Sequence, residues 1–311
     1  MMSLMKKLKI GTRGSALALW QANFVGDLIS GQVPDINIEI IRIKTTGDRI
    51  LDRNLPEIGG KGVFVKEIED SLIKKEIDIA VHSLKDLPVI LPDGLILCAF
   101  IKRHNPCDVL VSRGEMKLSD HKKGDLIGTG SLRRKAQILS IYPDLEIVPV
   151  RGNVGTRIKK LETHGLASVV LAGAGVERLG LNDRISEVFD TDTIIPAPGQ
   201  GIIAIECREE DAETSELLES VDDSGSRSSA ILERSFLGAL GGDCSVPVGC
   251  YSELDGHNLS AVGIIIAPDG RTLVRDRIKG PVKDSSELGS GLSMSLLEAG
   301  GRKILSEIHK Q

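Results

Sequence analysis

The chain contains one local unit twice, a short apolar strand that leads through a turn of small residues into a helix. The first copy has a strand at Leu8–Gly11, the turn TRGS and a helical pattern from Ala16 to about Ser30. The second, at 126–142, has LIGTGS followed by LRRKAQILSIY, and the two turns differ by one residue. Ser15 is well placed as an N-cap, and the free backbone N–H groups of such a helix start favour anions. The repeat therefore predicts α/β units that each offer an anion-binding turn beyond a strand end.

A second pair of segments supports the duplication. GGKGVFVKEIEDSLIKKEIDIAVHSLKDL, from residue 59, has the pattern of a glycine turn, a helix, a strand and a polar loop. RGNVGTRIKKLETHGLASVVLAGAGVERL, from residue 151, has the same pattern. Alternating strands and helices indicate mainly parallel sheets, whose ligand sites gather at the carboxyl ends of the strands. We therefore expect two α/β lobes that face one another across a cleft.

The remainder of the chain has a different character. Residues 206–223 carry an acidic run, which we interpret as a solvated helix. From residue 224 the pattern predicts a helix to Leu240, three strands and a last helix after Ser285. The strands are expected near 246–252, 258–266 and 271–279, with a Pro-Asp-Gly turn before the third. This tail is predicted to form a small separate α+β domain.

The loop GGDCSVPVG, residues 241–249, places Cys244 among glycines and polar residues. A free cysteine usually lies in an apolar core, so this thiol is unusually reachable. It is either a loop thiol without a role or a nucleophile or attachment point, because a thiolate bonds readily to carbon. The loop by itself leaves both interpretations open.

Basic residues are concentrated in one part of a mildly acidic chain of net charge −5. Between Phe100 and Lys160 there are 13 Lys and Arg against 6 Asp and Glu. Any one arginine is most simply a solvated or salt-bridged side chain. Six arginines of the whole chain follow predicted strand ends or begin predicted helices. Guanidinium groups bind carboxylates bidentately, so these six predict a ligand with many carboxylates. These arginines are Arg13, Arg133, Arg134, Arg151, Arg157 and Arg178.

Composition argues against several other classes of protein. Single-stranded nucleic acid requires aromatic platforms, and the chain has only Phe 5, Tyr 2 and Trp 1. No phosphate-loop motif occurs, and the six histidines lack the spacing of zinc ligands, so we expect no metal. His82 is interpreted as a hydrogen-bonded residue at a strand end. Five cysteines without paired spacing and the lack of a long apolar run predict reduced thiols and a cytoplasmic protein that binds no membrane.

The loop SLKDLP, which follows the predicted strand IDIAVHSL, contains Lys85 and Asp86. An aspartate after a strand commonly forms a turn, and Pro88 and Pro92 make a helix cap unlikely here. An ionised carboxylate that faces an arginine-lined site would instead stabilise positive charge developed in a reaction. Lys85 beside it could bind an additional acid group.

Seven segments together resemble the signature sequences of the porphobilinogen deaminase (hydroxymethylbilane synthase) family. In order they are GTRGSALALWQ, GGKGVFVKEIE, AVHSLKDLP, GTGSLRRKAQ, RGNVGTRIKKL, PAPGQGIIAIE and GGDCSVPVG. The resemblance implies an α/β fold with two lobes of the type II periplasmic-binding-protein kind around a cleft and a small C-terminal α+β domain. It also implies that the chain returns to the first lobe near Ile195 to Ile203. The domain limits expected are 1–100 with 200–220, 101–195, and 224–311.

The family's activity accounts for the cysteine and the arginines together. The resemblance implies that Cys244 carries a dipyrromethane cofactor through a thioether, and that four porphobilinogens are deaminated, joined to it head to tail and released as hydroxymethylbilane. Asp86 matches the catalytic aspartate. The other residues implied at the cofactor are Lys85, Thr129, Ser131, Arg133, Arg134 and Arg157. Those implied at the substrate and growing polypyrrole are Arg13, Ser15, Lys61, Arg151, Arg157, Arg178 and Gln200.

Two positions depart from the family pattern, because Gly130 and Asp243 stand where serine and glycine are expected. Hydrogen bonds around the cofactor are therefore expected to differ, although no charged group is lost. The alternative interpretation is a non-catalytic, two-lobed carboxylate-binding protein, which explains the lobes and the arginines but gives Cys244 and Asp86 no role. A nucleic-acid-binding module is a more distant third. The resemblance also implies a monomer.

Overall fold

The computed structural model describes residues 7–49, 65–242 and 246–308. The described residues form two compact units. The first contains the residues up to Arg103 together with Ile202–Arg227, and the second contains His104–Gly201 together with the chain from Ser228 onwards. The two units are described in turn.

The first unit is built on a five-stranded sheet with the strand order β2-β1-β3-β10-β4. Its strands are β1 Lys7–Arg13, β2 Asn37–Ile43, β3 Ile79–Ser83, β4 Leu95–Ile101 and β10 Ile203–Arg208. Its helices are α1 Ala16–Gln32, α2 Thr46–Arg49, α3 Lys66–Ile73 and α7 Ala212–Glu219. Strand β1 is parallel to β2 and β3, whereas β10 is antiparallel to both β3 and β4. The chain therefore returns to the first sheet at Ile203, as the resemblance implied.

The second unit contains a sheet of the same design, with the order β7-β6-β8-β5-β9. Its strands are β5 Asp108–Ser112, β6 Leu126–Gly128, β7 Glu146–Val148, β8 Ser168–Ala172 and β9 Glu187–Val188. The helices around it are α4 Leu132–Ile141, α5 Val154–Thr163 and α6 Gly173–Arg178. Strand β6 is parallel to β7 and β8, and β5 is antiparallel to β8 and β9. The predicted duplication of α/β units is confirmed by this shared order.

The C-terminal part of the second unit is a three-stranded antiparallel sheet with helices. Its elements are α8 Ser224–Ala239, which belongs to this unit from Ser228 onwards, β11 Val248–Asp255, β12 Asn258–Ile266, β13 Leu273–Pro281, α9 Ser285–Leu296 and α10 Arg302–Ile308. Val262, Ile264 and Ile266 of β12 pack with Ala136 of α4 in one apolar cluster. In the turn before β13, Gly270 has a φ of +77°, and a Cβ there would lie 2.6 Å from the Ala136 carbonyl oxygen. This close approach fixes α4, the helix that begins with the arginine pair, against the C-terminal sheet.

Two expectations from the sequence need correction. The acidic run at 206–223 is not one solvated helix, because Glu206, Cys207 and Arg208 form the buried end of β10 and the helix α7 spans only Ala212–Glu219. The cysteines are also not all free thiols, because Cys98 of β4 and Cys207 of β10 form a disulfide. Their 109-residue separation hid this pairing, which the sheet creates by placing the two strands side by side. Within the described residues, no helix is both long enough and apolar enough to cross a membrane.

Candidate active site

In the first unit, the predicted site residues lie at the carboxyl ends of two neighbouring parallel strands. Arg13 is the last residue of β1 and is half-buried. Ser15 caps α1, and its Oγ accepts the Ala18 N–H at 3.2 Å. The cap forms here because a short polar side chain follows the strand and satisfies a helix N–H that has no partner within the helix. The predicted strand, turn and capped helix are thus confirmed.

Lys85 and Asp86 follow β3 in a single 3-10 turn, Leu84–Asp86. Leu84 is buried and anchors the turn, whereas Lys85 is half-buried and Asp86 is exposed. At the end of β3, the Ser83 Oγ accepts a 2.9 Å hydrogen bond from Nε2 of Gln21 in α1. The turn therefore presents a carboxylate to solvent from a backbone that the strand and the helix hold in place.

The interior of this unit holds a cluster of titratable groups. Nε2 of His82 lies 3.2 Å from Oε2 of Glu206, and both side chains are buried. This confirms the prediction that His82 is a hydrogen-bonded residue at a strand end. Burial, and then the charge of Glu206, raise the pKa of Glu69 to about 7. Oε1 of Glu69 and Oε1 of Glu206 are buried without a hydrogen-bond partner among the described residues.

In the second unit, the turn after β6 joins two strand ends and starts α4. The Thr129 N–H donates to the Val148 carbonyl at 3.0 Å, and the Val150 N–H donates to the Thr129 carbonyl at 3.3 Å. Ser131 caps α4, and its Oγ accepts the Arg134 N–H at 3.4 Å. A Cβ at Gly130 would lie only 2.8 Å from the Val150 carbonyl oxygen. The turn is therefore packed tightly against the strand that leads to Arg151.

Arg133 and Arg134 are buried, and both bind the carboxylate of Asp108, the first residue of β5. NH2 of Arg133 is 2.7 Å from Oδ2, while Nε and NH2 of Arg134 are 2.9 and 2.7 Å from Oδ1. Burial alone would raise the pKa of Asp108, but the two guanidinium charges and their hydrogen bonds outweigh it and hold that pKa well below its usual range. The cluster of Asp108, Arg133 and Arg134, here called the arginine pair cluster, therefore carries a net charge of about +1 at neutral pH.

Gln200 joins this cluster and is almost fully buried. Its Nε2 donates to the Pro106 carbonyl at 2.7 Å and to Oδ1 of Asp108 at 2.9 Å. Its Oε1 accepts from NH2 of Arg134 at 3.4 Å. Every polar atom of the Gln200 side chain is thus engaged by the arginine pair cluster or its surroundings.

The other predicted arginines of this unit occupy strand and helix ends. Arg151 is half-buried, and Arg157 in the first turn of α5 donates from Nε to the Gly152 carbonyl at 2.7 Å. Arg178 is the last residue of α6, and its NH2 donates to the Gly201 carbonyl at 2.9 Å. Burial lowers the pKa of Arg178 to about 10, so it stays charged at neutral pH.

Comparison with known proteins supplies the family. Residues 8–216 match the family model described as "Porphobilinogen deaminase, dipyromethane cofactor binding domain", and residues 228–298 match "Porphobilinogen deaminase, C-terminal domain". The chain belongs to the porphobilinogen deaminase family. The porphobilinogen deaminase of Trichlorobacter lovleyi is 45% identical over 306 residues, which cover 98% of each protein. That of Carboxydothermus hydrogenoformans is 44% identical over 305 residues, again 98% of each.

Among solved structures, the periplasmic aliphatic sulphonate binding protein of Escherichia coli is 13% identical, with a TM-score of 0.42 over 76% of this chain and 71% of that one. The predicted family is confirmed by the sequence matches, together with the transferase class and the dipyrromethane cofactor that belong to porphobilinogen deaminases. A non-catalytic carboxylate-binding protein is not favoured. The relatives are named porphobilinogen deaminase, and the matches cover 98% and 96% of their length.

Within this porphobilinogen deaminase family member, the structure places the predicted residues in two groups. The first unit holds Arg13, Ser15, Lys85 and Asp86, and the second holds Thr129, Ser131, Arg133, Arg134, Arg151, Arg157, Arg178 and Gln200. Lys61, Asp243 and Cys244 lie outside the described residues. The functional roles given to all these residues stay predictions.

Two carboxylates near the site were missed from sequence. Asp108 was counted only in the charge of its segment, although an aspartate at the start of the apolar strand DVLVS is a signal that it needs a buried partner. Glu233 of α8 is buried and accepts the Gly199 N–H at 2.6 Å and the Ser252 N–H at 2.8 Å. It thereby holds the loop that carries Gln200.

Proposed function

We propose that the chain deaminates four porphobilinogen molecules and joins them head to tail on a dipyrromethane bound to Cys244, releasing hydroxymethylbilane. The arginine pair cluster is the observation that carries this proposal. Two buried guanidiniums share one carboxylate, and Nε of Arg133 is buried without a hydrogen-bond partner among the described residues. Such a cluster suits a ligand that brings its own carboxylates, and each pyrrole of the substrate carries an acetate and a propionate.

The dipyrromethane fits the donors of the second unit. We propose that Arg133, Arg134, Arg157, Thr129 and Ser131 bind its acidic side chains. Lys85 is proposed to bind a further acid group of the cofactor, and Asp86 to accept hydrogen bonds from its pyrrole N–H groups. When bound, the cofactor supplies the pyrrole carbon to which the first incoming unit is joined. Arg13, Ser15, Lys61, Arg151, Arg178 and Gln200 are proposed to take part in binding the substrate and the lengthening chain.

We propose that Asp86 is the catalytic group. Loss of ammonia from the aminomethyl arm of porphobilinogen leaves a cation that is shared with the ring nitrogen. A carboxylate that accepts a hydrogen bond from that ring N–H stabilises the cation and can take up the proton released when the carbon–carbon bond forms. Asp86 suits this role because it is exposed on a turn whose backbone is anchored by buried Leu84.

Cofactor attachment tests the proposal most directly. Protein purified from a host that makes porphobilinogen should weigh more than its sequence by one dipyrromethane, and the added mass should map to the peptide that contains Cys244. Cys244→Ser should lack the adduct and release no ammonia from porphobilinogen, because a hydroxyl is a much poorer nucleophile than a thiolate. Cys107→Ser and Cys250→Ser, which change two other cysteines among the described residues, should keep it. An adduct that persists in Cys244→Ser would contradict the assignment.

The proposal includes the wider organisation of the protein. The domain limits are 1–100 with 200–220, 101–195 and 224–311, and the enzyme is a cytoplasmic monomer that binds neither nucleic acid nor membrane. Size-exclusion chromatography with light scattering measures the oligomeric state, and a mass near twice 33.4 kDa would contradict the monomer.

A further inference from the structure

The polar interior of the second unit is centred on one carboxylate. Asp108 has no exposed surface, and it begins β5, whose backbone pairs with β8. Its two oxygens accept from Arg133, from two nitrogens of Arg134 and from Gln200, over 2.7 to 2.9 Å. No other carboxylate among the described residues forms an ion pair with either guanidinium. Asp108 is therefore the common partner of three residues that are proposed to bind the cofactor or the substrate.

The sequence of α4 makes this partner necessary. Arg133 and Arg134 are adjacent, buried and close to the start of a helix, where the helix dipole already disfavours positive charge. Two buried like charges would repel each other and take up separate positions unless a carboxylate compensated one of them. Asp108 compensates one charge, and its two oxygens bind the two guanidiniums separately. One positive charge is left for a ligand.

Further hydrogen bonds restrict the orientation of the two guanidinium groups. NH1 of Arg133 donates to the Ile195 carbonyl at 2.6 Å, and NH1 of Arg134 donates to the Val170 carbonyl at 3.2 Å. These backbone bonds fix one side of each guanidinium, and Asp108 fixes another. Nε of Arg133 is the buried donor that remains without a partner in the described part of the chain.

We propose that Asp108 is a positioning residue for carboxylate binding, which orients Arg133, Arg134 and Gln200 together and leaves their cluster with one uncompensated positive charge. This inference rests on the proposed function, because it assumes that the cluster binds acidic side chains of the cofactor or substrate. Asp108 does not itself contact the ligand. Its effect therefore falls on cofactor loading and on KM more than on the rate of the bound complex.

The test compares Asp108→Asn with the wild-type protein and with Asp211→Asn. Asp211 is a matched control because it also forms an ion pair with a buried arginine, Arg208 at 2.6 Å, but lies in the first unit at the start of α7. Each protein is expressed in a host that makes porphobilinogen. The folded fraction is measured by thermal melting and the adduct fraction by intact mass, and the unloaded fraction is then titrated with porphobilinogen.

We expect Asp108→Asn to acquire little cofactor. Its amide nitrogen would face the donors of the arginines, and the two guanidinium charges would have no carboxylate to compensate them. The porphobilinogen concentration for half-loading and the KM of the loaded fraction should each rise at least about ten-fold, while kcat changes by less than about three-fold. Asp211→Asn should load like the wild type even if its melting temperature falls. Asp108→Asn that loads like the wild type, or loses activity only in proportion to its folded fraction, would overturn the proposal.

A second variant keeps the test decisive if Asp108→Asn does not fold. Asp108→Asn/Arg133→Gln restores the net charge of the cluster to +1 and is expected to fold. Its porphobilinogen concentration for half-loading should be at least about ten-fold higher than that of Arg133→Gln alone, because Arg134 has also lost its bonds to Asp108. Loading like that of Arg133→Gln alone, or failure of the double variant to fold, would contradict the inference. If the wild-type enzyme itself released no ammonia from porphobilinogen, the proposed function would fail instead.

Discussion

In both five-stranded sheets the antiparallel strand carries a carboxylate with no exposed surface, Glu206 in β10 and Asp108 in β5, but the two are balanced in opposite ways. Glu206 faces His82 and lies near a second acid, Glu69. Asp108 faces two guanidiniums that stay charged at any physiological pH. The first unit therefore buries an acidic, titratable cluster, and the second buries a permanently cationic one.

The comparison shows that the chain repeats a topology without repeating its electrostatics. Strand order and helix caps recur because they depend on local patterns and on sheet geometry. The buried charges differ between the two units, and this difference suits the roles proposed for them. An exposed acid, Asp86, is offered for the reaction by the first unit, and cations are offered for carboxylate binding by the second.

The largest loss of activity is expected from Asp86→Asn, which tests whether the first unit supplies the reacting carboxylate. The amide keeps the shape of the side chain but cannot stabilise a cation or accept a proton. Binding of porphobilinogen should survive, while single-turnover condensation slows by about 100- to 10,000-fold. Rapid-quench measurement of ammonia release gives this rate, and a rate within a few-fold of wild type would remove Asp86 from the reaction.

The matching change in the second unit is Arg157→Ala, which should affect binding instead. Loss of one charged hydrogen-bonding partner costs about 1.5 to 3 kcal/mol, or about 10- to 150-fold in KM or in cofactor loading. Arg157→Lys serves as the control, since it keeps the charge but loses the Nε bond to the Gly152 carbonyl. Steady-state kinetics separates KM from kcat, and an unchanged KM in a loaded Arg157→Ala protein would exclude this arginine from the site.

The two small-residue turns provide a matched test of packing. Gly14 in the first unit has open space around its Cβ position, whereas a Cβ at Gly130 would meet the Val150 carbonyl. Gly130→Ser, which restores the residue expected from the family, should therefore cost about 1 to 3 kcal/mol of unfolding free energy because of overpacking. Gly14→Ser should cost much less. Urea unfolding of both variants measures the difference, and equal stabilities would show that the second turn relaxes freely.

The smallest effect expected is a pH dependence confined to the first unit. The folded state raises the pKa of Glu69 from 4.5 to about 7, so between these values it retains a proton that the unfolded chain releases. The associated stability is fully present below pH 4.5 and is lost as the pH rises through 7. Glu69→Gln should lack this loss, so its melting temperature relative to that of the wild type should rise between pH 4.5 and about 7 and then stay constant. A difference in melting temperature between the two proteins that stays constant from pH 5 to 8 would contradict this prediction.

Features set by neighbouring residues could be predicted from the sequence. The caps at Ser15 and Ser131 and the turn before β13 follow from residues within a few positions of each other. His82 was also interpreted correctly, because a histidine that ends an apolar strand needs a polar partner. The functional segments could be recognised because seven of them occur in a fixed order.

Features that join distant parts of the chain could not be predicted. Glu206 was placed in a solvated helix because its partner, His82, lies 124 residues earlier. The Asp108 carboxylate and Gln200 are 92 residues apart, so no local pattern marks their bond. The disulfide between Cys98 and Cys207 could not be predicted for the same reason, because the two residues are 109 positions apart. Burial of charge depends on the folded sheet, and sequence spacing carries little information about it.

The position of β10 in the first sheet also determines the order in which the protein can form. Strands β3 and β4 are not neighbours, since each pairs with β10, and β10 is made only after all five strands of the second sheet have been synthesised. The second sheet uses residues 108–188 alone and can assemble from contacts of shorter separation, which close at a lower entropic cost. Until Arg208 has been synthesised, β3 and β4 therefore lack the strand that joins them, although β1, β2 and β3 can already pair. Insertion of β10 completes the first sheet, and that strand brings Glu206 to His82 and Cys207 to Cys98.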